Sequence, residues 1–391
     1  MTVRSKYRIV TIPGDGVGPE VVAAARRVVD AAGGRFAFGV DWSEIAAGGN
    51  AIDQHGVAIR DADVAVCASA DAILLGAVGG PKWDDPKARV RPEQALFVLR
   101  STFGLFANLR PVTVYPAIAA SASPVRPELL VGVDLLIIRE LTGGLYFGAR
   151  TESSGAPGER RATDTLPYSE PEIRRVVRLA FEQARTRRRK LTSVDKANVL
   201  ATSRLWRTVV EEMRPDYPDV EVGHQLVDSC AMLLIKQPAA FDVLVTENLF
   251  GDILSDEAGV LAGSLGLLPS ASLGERRTAH GTFGLYEPIH GSAPDIAGQD
   301  RANPIGTILS AAMLLRLSLG RGDAADAIEA AVTATVDGGW RTADVARAGH
   351  PDQELRVVGT AAFATAVIDA LAGSTPLTPA PVLSVPGGVS A

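Results

Sequence analysis

The chain has 391 residues, of which 47% are hydrophobic and 21% are charged. This composition is typical of a globular protein of about two domains, and a chain of this length buries a large core without disulfides or a structural metal. The formal net charge is −6, from 39 Lys and Arg against 45 Asp and Glu. That charge excludes a strongly basic nucleic-acid-binding protein, so we expect no nucleic-acid partner.

The apolar segments and the cysteines favour a cytoplasmic protein. Residues 1–11 lack the apolar core of a signal peptide. No apolar window approaches the roughly 20 residues of a membrane span, and Arg316 interrupts the window Ile308–Leu317. Cys67 and Cys230 stand in apolar stretches and are predicted to be buried thiols in a reducing compartment. We therefore expect a soluble protein with no membrane partner.

Short β-like runs alternate with longer helical patterns, which predicts an α/β fold with a substantially parallel sheet. The clearest helix follows Ser169, where Glu172 completes a capping box and apolar residues recur at helical spacing from Ile173 to Ala184. The basic run Arg187–Lys190 is predicted to be a solvated helix C-terminus. The strand candidates are Arg8–Ile12, Ala72–Val78, Leu135–Arg139, Leu191–Val194 and Val243–Thr246.

Three segments are predicted to lack regular structure. Ser121–Arg126 and Ser153–Arg161 are rich in Ser, Pro and Gly, which is typical of loops. Thr375–Ala391 contains four prolines and no charged side chain, so we interpret it as a disordered tail.

A glycine-rich turn, Gly14–Glu20, stands between a predicted strand and the predicted helix Val21–Ala32. Its third glycine comes two residues after the second instead of three, and Pro19 follows it. This spacing does not match the Rossmann dinucleotide fingerprint. On spacing alone, a generic tight turn between strand and helix is favoured.

Asp252 and Asp256 stand four residues apart, which places both carboxylates on one face of a helix. Two such carboxylates repel each other unless a cation lies between them, and oxygen ligands without His or Cys suit Mg²⁺ or Mn²⁺. Asp228, in an apolar run, is a third candidate ligand. The alternatives are a solvated acidic helix turn for the first pair and a helix cap for Asp228.

Four basic residues beside apolar runs are candidates for substrate binding and catalysis. Arg100, Arg110 and Arg139 each follow apolar residues, and an arginine at a strand end can bind two carboxylate oxygens in one plane. Lys196 ends a strand-like pattern and could act as a base beside a metal. Surface ion pairs for the arginines, and a salt bridge between Lys196 and Asp195, are the alternatives.

The segment from His290 to Gly298 is a loop of small residues that allows the backbone to approach a flat ligand closely. His290 could stack on adenine, and Asp295 could accept hydrogen bonds from two ribose hydroxyls. As an isolated motif, the segment could equally be a polar loop.

In this order, the motifs resemble the β-decarboxylating dehydrogenases, which are metal- and NAD(P)-dependent 2-hydroxy-acid oxidoreductases of the isocitrate/isopropylmalate type. The resemblance runs from about Arg8 to Leu371. The matching stretches are Gly14–Glu20, Asn108–Pro111, Arg139–Gly148, Ser193–Leu200, Asn248–Glu257 and Gly291–Pro304.

The resemblance implies an α/β fold of two domains with a shared mixed sheet, distinct from the Rossmann fold. The first, NAD-binding domain would comprise residues 1–105 and 263–374. The second domain, residues 106–262, would be inserted in the first and would carry the dimerisation, metal and substrate sites. The family is dimeric, which implies a homodimer with composite active sites.

The resemblance also assigns roles to the candidate residues. The three arginines would hold the substrate carboxylates. Asp252 and Asp256 of one chain, with Asp228 of the other, would bind Mg²⁺ or Mn²⁺, and Asp228 is thereby also counted with the catalytic and substrate-binding residues. Lys196 would take the hydroxyl proton, and Tyr146 would protonate the enolate left by CO₂. The predicted cofactor-binding residues are Gly79, Gly80, Glu93, Asn198, His290, Gly291, Ser292, Ala293, Pro294, Asp295, Ile296 and Asn303.

The segment before Arg100 separates the substrates of the family. The isocitrate enzymes place Ser and Asn six and four residues before this arginine, where this chain has Gln94 and Leu96. Leu96 and Val199 would form an apolar wall that suits an isopropyl group, which favours 3-isopropylmalate as the substrate and 4-methyl-2-oxopentanoate, a leucine precursor, as the product.

Asp295 and Ile296 replace the Lys and Tyr of NADP-using relatives, so the resemblance implies NAD as the cofactor. Two alternatives stay open. One is oxidation of another 2-hydroxy diacid, such as malate, tartrate or homoisocitrate. The other is a non-catalytic regulatory subunit, although such subunits typically lose a metal ligand, the base or the tyrosine, all of which are present here.

Overall fold

The computed structural model describes residues 5–85, 88–346 and 355–373. The strands are β1 (Ser5–Gly14), β2 (Phe38–Glu44), β3 (Ala72–Ala77), β4 (Ala107–Thr113), β5 (Asp134–Glu140), β6 (Arg150–Ser154), β7 (Arg161–Asp164), β8 (Lys190–Asp195), β9 (Glu221–Leu226), β10 (Val243–Thr246), β11 (Pro269–Arg277), β12 (Thr282–Pro288), β13 (Trp340–Arg341) and β14 (Arg356–Val357). The helices are α1 (Gly18–Arg35), α2 (Gly49–His55), α3 (Asp61–Ala68), α4 (Gln94–Thr102), α5 (Pro116–Ala122), α6 (Pro127–Leu130), α7 (Glu170–Arg185), α8 (Ala201–Met213), α9 (Val227–Lys236), α10 (Asn248–Ala262), α11 (Ile305–Leu317), α12 (Gly322–Asp337) and α13 (Thr360–Gly373).

The five strand candidates all coincide with observed strands, in β1, β3, β5, β8 and β10. The helix predicted after Ser169 is α7, and its capping box with Glu172 is present. Its apolar positions from Ile173 to Ala184 are buried, because helical spacing places them on the face that packs on the sheet. The predicted tail, residues 375–391, lies outside the described residues.

Within the described residues, ten strands form one mixed sheet in the order β2-β1-β3-β12-β11-β4-β5-β10-β8-β9. β2, β1, β3 and β12 are parallel to one another, and so are β5, β10, β8 and β9. β11 and β4 join the two groups through antiparallel pairs. The fold is therefore α/β with a mixed sheet, as expected.

The sheet register aligns polar side chains on one face at the centre of the sheet. Asn108 of β4 lies opposite Arg139 of β5, and Arg110 follows two positions along β4 on the same face. α10 covers this face, since Asn248 hydrogen-bonds Arg139 and Ser255 hydrogen-bonds Arg110. Strand pairing therefore brings together residues that lie far apart in the sequence.

The basic run Arg187–Lys190 is only partly the solvated helix end that was predicted, since Arg188 and Arg189 are exposed but Arg187 is not. The Arg187 side chain is 9% exposed and donates from Nε to Asp242 Oδ1 at 2.8 Å. The backbone N–H of Arg188 also donates to Asp242, at 2.9 Å. The buried carboxylate of Asp242 stands just before β10 and needs these donors, so the run anchors the end of α7 to the sheet.

The two internal loop predictions are only partly correct. In Ser153–Arg161, residues 155–160 form the predicted loop, while Ser153, Ser154 and Arg161 belong to the exposed antiparallel strands β6 and β7 that it connects. In Ser121–Arg126, the first two residues belong to α5.

The prediction that both cysteines are buried thiols is confirmed. Cys67 and Cys230 are both fully buried free thiols, and burial raises the pKa of each thiol to about 12.

In the apolar helix α11, Arg316 forms ion pairs with Asp326 and Glu329 of α12. Among the described helices, none combines the length and the apolar character needed to span a bilayer.

The division into two domains stays a prediction. Strands from residues 107–246 occupy one end of the large sheet, and strands from residues 5–77 and 269–288 occupy the other. The centre of the sheet, where β11 meets β4, joins these two ends through only three residue pairs, from Ala271–Leu109 to Leu273–Ala107.

Candidate active site

A cavity of about 300 Å³ lies over the centre of the sheet. It brings together the three arginines that the sequence singled out, on α4, β4 and β5. The lining residues are Glu93, Leu96, Phe97, Arg100, Arg110, Arg139, Leu141, Tyr146, Phe147, Asn248 and Asp252.

Two of the arginines are held by neutral and acidic acceptors. Arg100 lies in the last turn of α4, and not at a strand end, and its Nη2 donates to Glu287 Oε1 at 2.9 Å. Arg110 donates from Nε to Asn108 Oδ1 at 2.6 Å and from Nη1 to Ser255 Oγ at 2.5 Å. Burial lowers the pKa of Arg110. These fixed acceptors orient both guanidinium groups toward the cavity.

Arg139 is the most buried of the three arginines, with a side chain that is 6% exposed. Its Nε and Nη2 both donate to Asn248 Oδ1, at 3.0 and 2.8 Å, and its Nη1 donates to Asp252. Burial and the charge of Arg110 lower the pKa of Arg139 to about 10. The group is still charged at neutral pH, and an anionic ligand would relieve the repulsion.

Asp252, Asp256 and Tyr146 form the acidic side of the site. Tyr146 donates from its hydroxyl to Asp252 Oδ2 at 2.8 Å, and Arg110 Nη1 lies 3.3 Å from Asp256 Oδ1. Burial and the Asp252 carboxylate raise the pKa of Tyr146, and partial burial raises the pKa of Asp256. The side chains of Asp252 and Asp256 are 34% and 61% exposed, so both carboxylates are accessible to a ligand.

Part of the cavity lining is apolar. Leu96 and Phe97 of α4 line it together with Leu141 and Phe147. The rings of Phe97 and Phe147 meet edge to face, with centroids 5.8 Å apart. One cavity thus combines a cationic wall with an apolar wall.

A second group of predicted residues lies away from this cavity. Lys196, Asn198, Val199 and Asp228 are not among its lining residues in the described chain. Lys196 Nζ contacts Asp228 Oδ1 at 2.8 Å, and this contact holds the pKa of Asp228 below its usual range. Asp195, the alternative partner of Lys196, forms its ion pair with an arginine of α8 instead.

The predicted cofactor loop follows β12. His290 donates from Nδ1 to the Gly291 carbonyl at 2.8 Å, and its Nε2 is buried with no partner among the described residues. Burial lowers the pKa of His290, which favours the neutral ring. Ser292 is buried, Asp295 is exposed and Ile296 is half-buried; Ala293 and Pro294 complete the segment.

The other predicted cofactor residues lie at three further places. Gly79 and Gly80 follow β3 with φ of 108° and 153°, values that favour glycine. A Cβ on Gly79 would lie 3.1 Å from Glu93 Oε1. Asn303 accepts at Oδ1 from the backbone N–H of Ile305 at 3.0 Å and donates from Nδ2 to Asp344 Oδ2 at 3.1 Å, which leaves little of its side chain for a ligand.

Sequence reasoning missed five residues of the site. Asn108, Asn248, Leu141 and Phe147 stand inside the matched stretches, so their position was a usable signal. Glu287 stands 187 residues from Arg100, and only the three-dimensional contact reveals its role.

A sequence profile of the isocitrate/isopropylmalate dehydrogenase family matches residues 8–367. The chain therefore belongs to this family and is a dehydrogenase. It is 58% identical over 338 residues to a 3-isopropylmalate dehydrogenase of Anaeromyxobacter dehalogenans, covering 86% of this chain and 94% of the relative. A 3-isopropylmalate dehydrogenase of Pseudomonas fluorescens is 53% identical, covering 93% and 98%. The crystal structure of isocitrate dehydrogenase from Methylococcus capsulatus matches with a TM-score of 0.79 at 35% identity, covering 93% and 99%.

The contacts of Asn248 generate a first prediction. Asn248→Ala removes the acceptor of two guanidinium hydrogen bonds, so Arg139 loses its fixed orientation. We expect the dissociation constant of 3-isopropylmalate, measured by calorimetry, to rise about tenfold or more. Gln54→Ala, which removes an exposed amide that bonds Asn50, is the control. Unchanged affinity in a folded Asn248→Ala variant would contradict the role of Asn248.

Proposed function

We propose that this protein oxidises 3-isopropylmalate at C2 and decarboxylates it to 4-methyl-2-oxopentanoate, a step of leucine biosynthesis, with NAD and with Mg²⁺ or Mn²⁺. The proposal rests mainly on one cavity that is lined both by three arginines and by apolar side chains. Relatives at 58% and 53% identity that are named 3-isopropylmalate dehydrogenase support it.

The cavity matches a dicarboxylate that carries an apolar branch. The carboxylates would bind Arg100, Arg110 and Arg139 through charge-assisted hydrogen bonds. The isopropyl group would pack on Leu96 and Phe97, a burial worth about 2 kcal/mol for three carbons. A third carboxylate in the same place would lose its hydration without gaining a partner, which disfavours isocitrate.

The acidic side of the site fits a divalent cation. Asp252 and Asp256 supply carboxylate oxygens, the ligands that Mg²⁺ and Mn²⁺ prefer. No third Asp, Glu, His or Cys joins them among the described residues of one chain. We assign the third carboxylate to Asp228 of a second copy.

Two observations fit a dinucleotide at the loop after β12. His290 has a buried, unpartnered Nε2 on a neutral ring, which suits contact with adenine. Asp295 offers an exposed carboxylate to the ribose hydroxyls and would repel a 2′-phosphate. When bound, nicotinamide accepts a hydride, and the metal stabilises negative charge on the C2 oxygen.

Two side chains move the protons. Lys196 of the second copy accepts the proton of the C2 hydroxyl as C2 loses a hydride, and the resulting ketone lies β to a carboxylate. After CO₂ leaves, Tyr146 donates its hydroxyl proton to C3 of the enolate. Burial and Asp252 raise the pKa of Tyr146, so the hydroxyl stays protonated at neutral pH and is available as an acid.

A homodimer would complete the site. Lys196 and Asp228 lie outside the cavity, on a surface that also exposes Val199 and Met232, at 63% and 67%. Ile253, between the two candidate metal ligands of α10, is 58% exposed. These apolar side chains beside incomplete catalytic groups favour a second copy of the chain as their partner.

A panel of substrates and cofactors tests the proposed function on the purified chain alone. We expect metal-dependent NADH formation with 3-isopropylmalate, abolished by chelation. The kcat/KM should exceed that for malate by about 30-fold, from the buried isopropyl group. NAD⁺ should be preferred over NADP⁺ by about a hundredfold, from Asp295. Preference for isocitrate, or activity only with a different second chain, would refute the proposal.

Mixing inactive variants tests the composite site. Lys196→Met and Asp252→Asn chains should each be inactive, but their heterodimer holds one intact site. After subunit exchange we expect about one quarter of wild-type activity. Asp252→Asn mixed with Tyr146→Phe is the matched control, because both lesions fall on the same chain's contribution and no site is intact. Equal activity in the two mixtures would contradict shared sites.

A further inference from the structure

The Gly14–Glu20 turn has no part in the proposed function, yet it lies between the two segments assigned to NAD. One segment is the glycine pair Gly79–Gly80 after β3, and the other is the loop 290–300 after β12. The turn itself joins β1 to α1. Its two carboxylates, Asp15 and Glu20, make all their described side-chain hydrogen bonds with backbone groups outside the turn.

Asp15 binds the first segment. Asp15 is buried, with only 5% of its surface exposed. Oδ2 accepts from the backbone N–H of Gly79 at 2.8 Å and from that of Gly49 at 2.8 Å, while Oδ1 accepts from the N–H of Asn50 at 2.7 Å. One buried carboxylate thus ties the glycine pair to the start of α2 by three charge-assisted hydrogen bonds.

Glu20 binds the second segment. Its Oε2 accepts from the backbone N–H of Asp300 at 3.0 Å, and its Oε1 accepts from that of Gly298. The Val17 N–H donates to the Ser292 carbonyl at 2.8 Å. The loop has no helix or strand of its own from residue 289 to residue 304, so it is held by hydrogen bonds such as these.

The glycines of the turn permit this close approach. A Cβ on Gly16 would lie 1.9 Å from the Ser292 carbonyl oxygen, and a Cβ on Gly14 would lie 1.8 Å from the Ala77 carbonyl oxygen. Backbone atoms cannot yield by such distances. The spacing that fails the Rossmann fingerprint therefore serves contact with neighbouring loops, and not with a pyrophosphate.

We propose that Asp15 and Glu20 are positioning residues for the dinucleotide, and that the Gly14–Glu20 turn sets the distance between the two loops that enclose it. Asp15 fixes the glycine pair, and Glu20 fixes the loop that carries His290 and Asp295. This inference rests on the proposed use of a nicotinamide dinucleotide. It predicts a selective effect on dinucleotide affinity, because neither carboxylate lines the arginine cavity.

The test compares Asp15→Asn and Glu20→Gln with wild type. Each amide keeps the side-chain shape but replaces one accepting oxygen by a donor. We expect the dissociation constant of NADH, from fluorescence titration, to rise about tenfold, with a matching rise in the KM for NAD⁺. The kcat and the calorimetric affinity for 3-isopropylmalate should stay within about twofold. Hydrogen exchange at Gly79 should accelerate only in Asp15→Asn, and at Gly298 only in Glu20→Gln.

Asp71→Asn is the matched control. Asp71 is also buried in the same region, at 7% exposure, and accepts one backbone N–H, from Arg8 at 2.8 Å, but it stands at the start of β3, away from the glycine pair. It should leave NADH affinity unchanged. If Asp15→Asn fails to fold, Glu20→Gln alone tests the proposal, because Glu20 is half-exposed and its substitution is less disruptive.

The outcomes separate the two proposals. A wild-type protein that binds neither NADH nor NADPH would refute the proposed function and with it this inference. A wild-type protein that prefers NADPH would refute only the choice of NAD, and the same variants are then titrated with NADPH. Dinucleotide affinity that is unchanged in folded variants, or weakened equally in Asp71→Asn, would overturn the positioning role alone.

Discussion

Repulsion among three guanidinium groups is the constraint on which the candidate site depends. Arg100, Arg110 and Arg139 line one cavity, and burial together with the charges of Arg110 and Arg100 lowers the pKa of Arg139 to about 10. Neutral and acidic hydrogen-bond acceptors, Asn108 and Asn248 among them, hold each guanidinium group in place and so stabilise the cluster against this repulsion. A site that concentrates cations in this way gains most from a ligand with two carboxylates.

The mixed sheet is what makes the cluster possible. β4 and β5 run antiparallel, so Asn108 and Arg139 stand opposite each other on one face, and α10 after β10 covers that face with Asn248 and Asp252. The cofactor segments follow β3 and β12 in the other parallel group. The proposed substrate site thus lies over the antiparallel centre of the sheet, and the proposed dinucleotide segments follow strands of the adjoining parallel group.

Local patterns in the sequence predicted the strands, the capped helix at Ser169 and the buried thiols, because each depends on neighbouring residues. Such local patterns could not predict contacts between residues that lie far apart in the sequence. The sequence could not pair Glu287 with Arg100, or show that Arg187 is buried against Asp242, since both depend on strand pairing. The resemblance to a family supplied roles for individual residues, and the geometry adds the acceptors that orient them.

In the proposed function, the cationic cluster and the apolar wall at Leu96 together select the substrate. The most direct measurement is the ratio of kcat/KM for 3-isopropylmalate to that for isocitrate, in wild type and in the double variant Gln94→Ser and Leu96→Asn. We expect a ratio well above one in wild type and a fall of at least about tenfold in the variant, from lost apolar contact and a new polar partner. A ratio that the double variant leaves unchanged, while the protein stays folded, would contradict it.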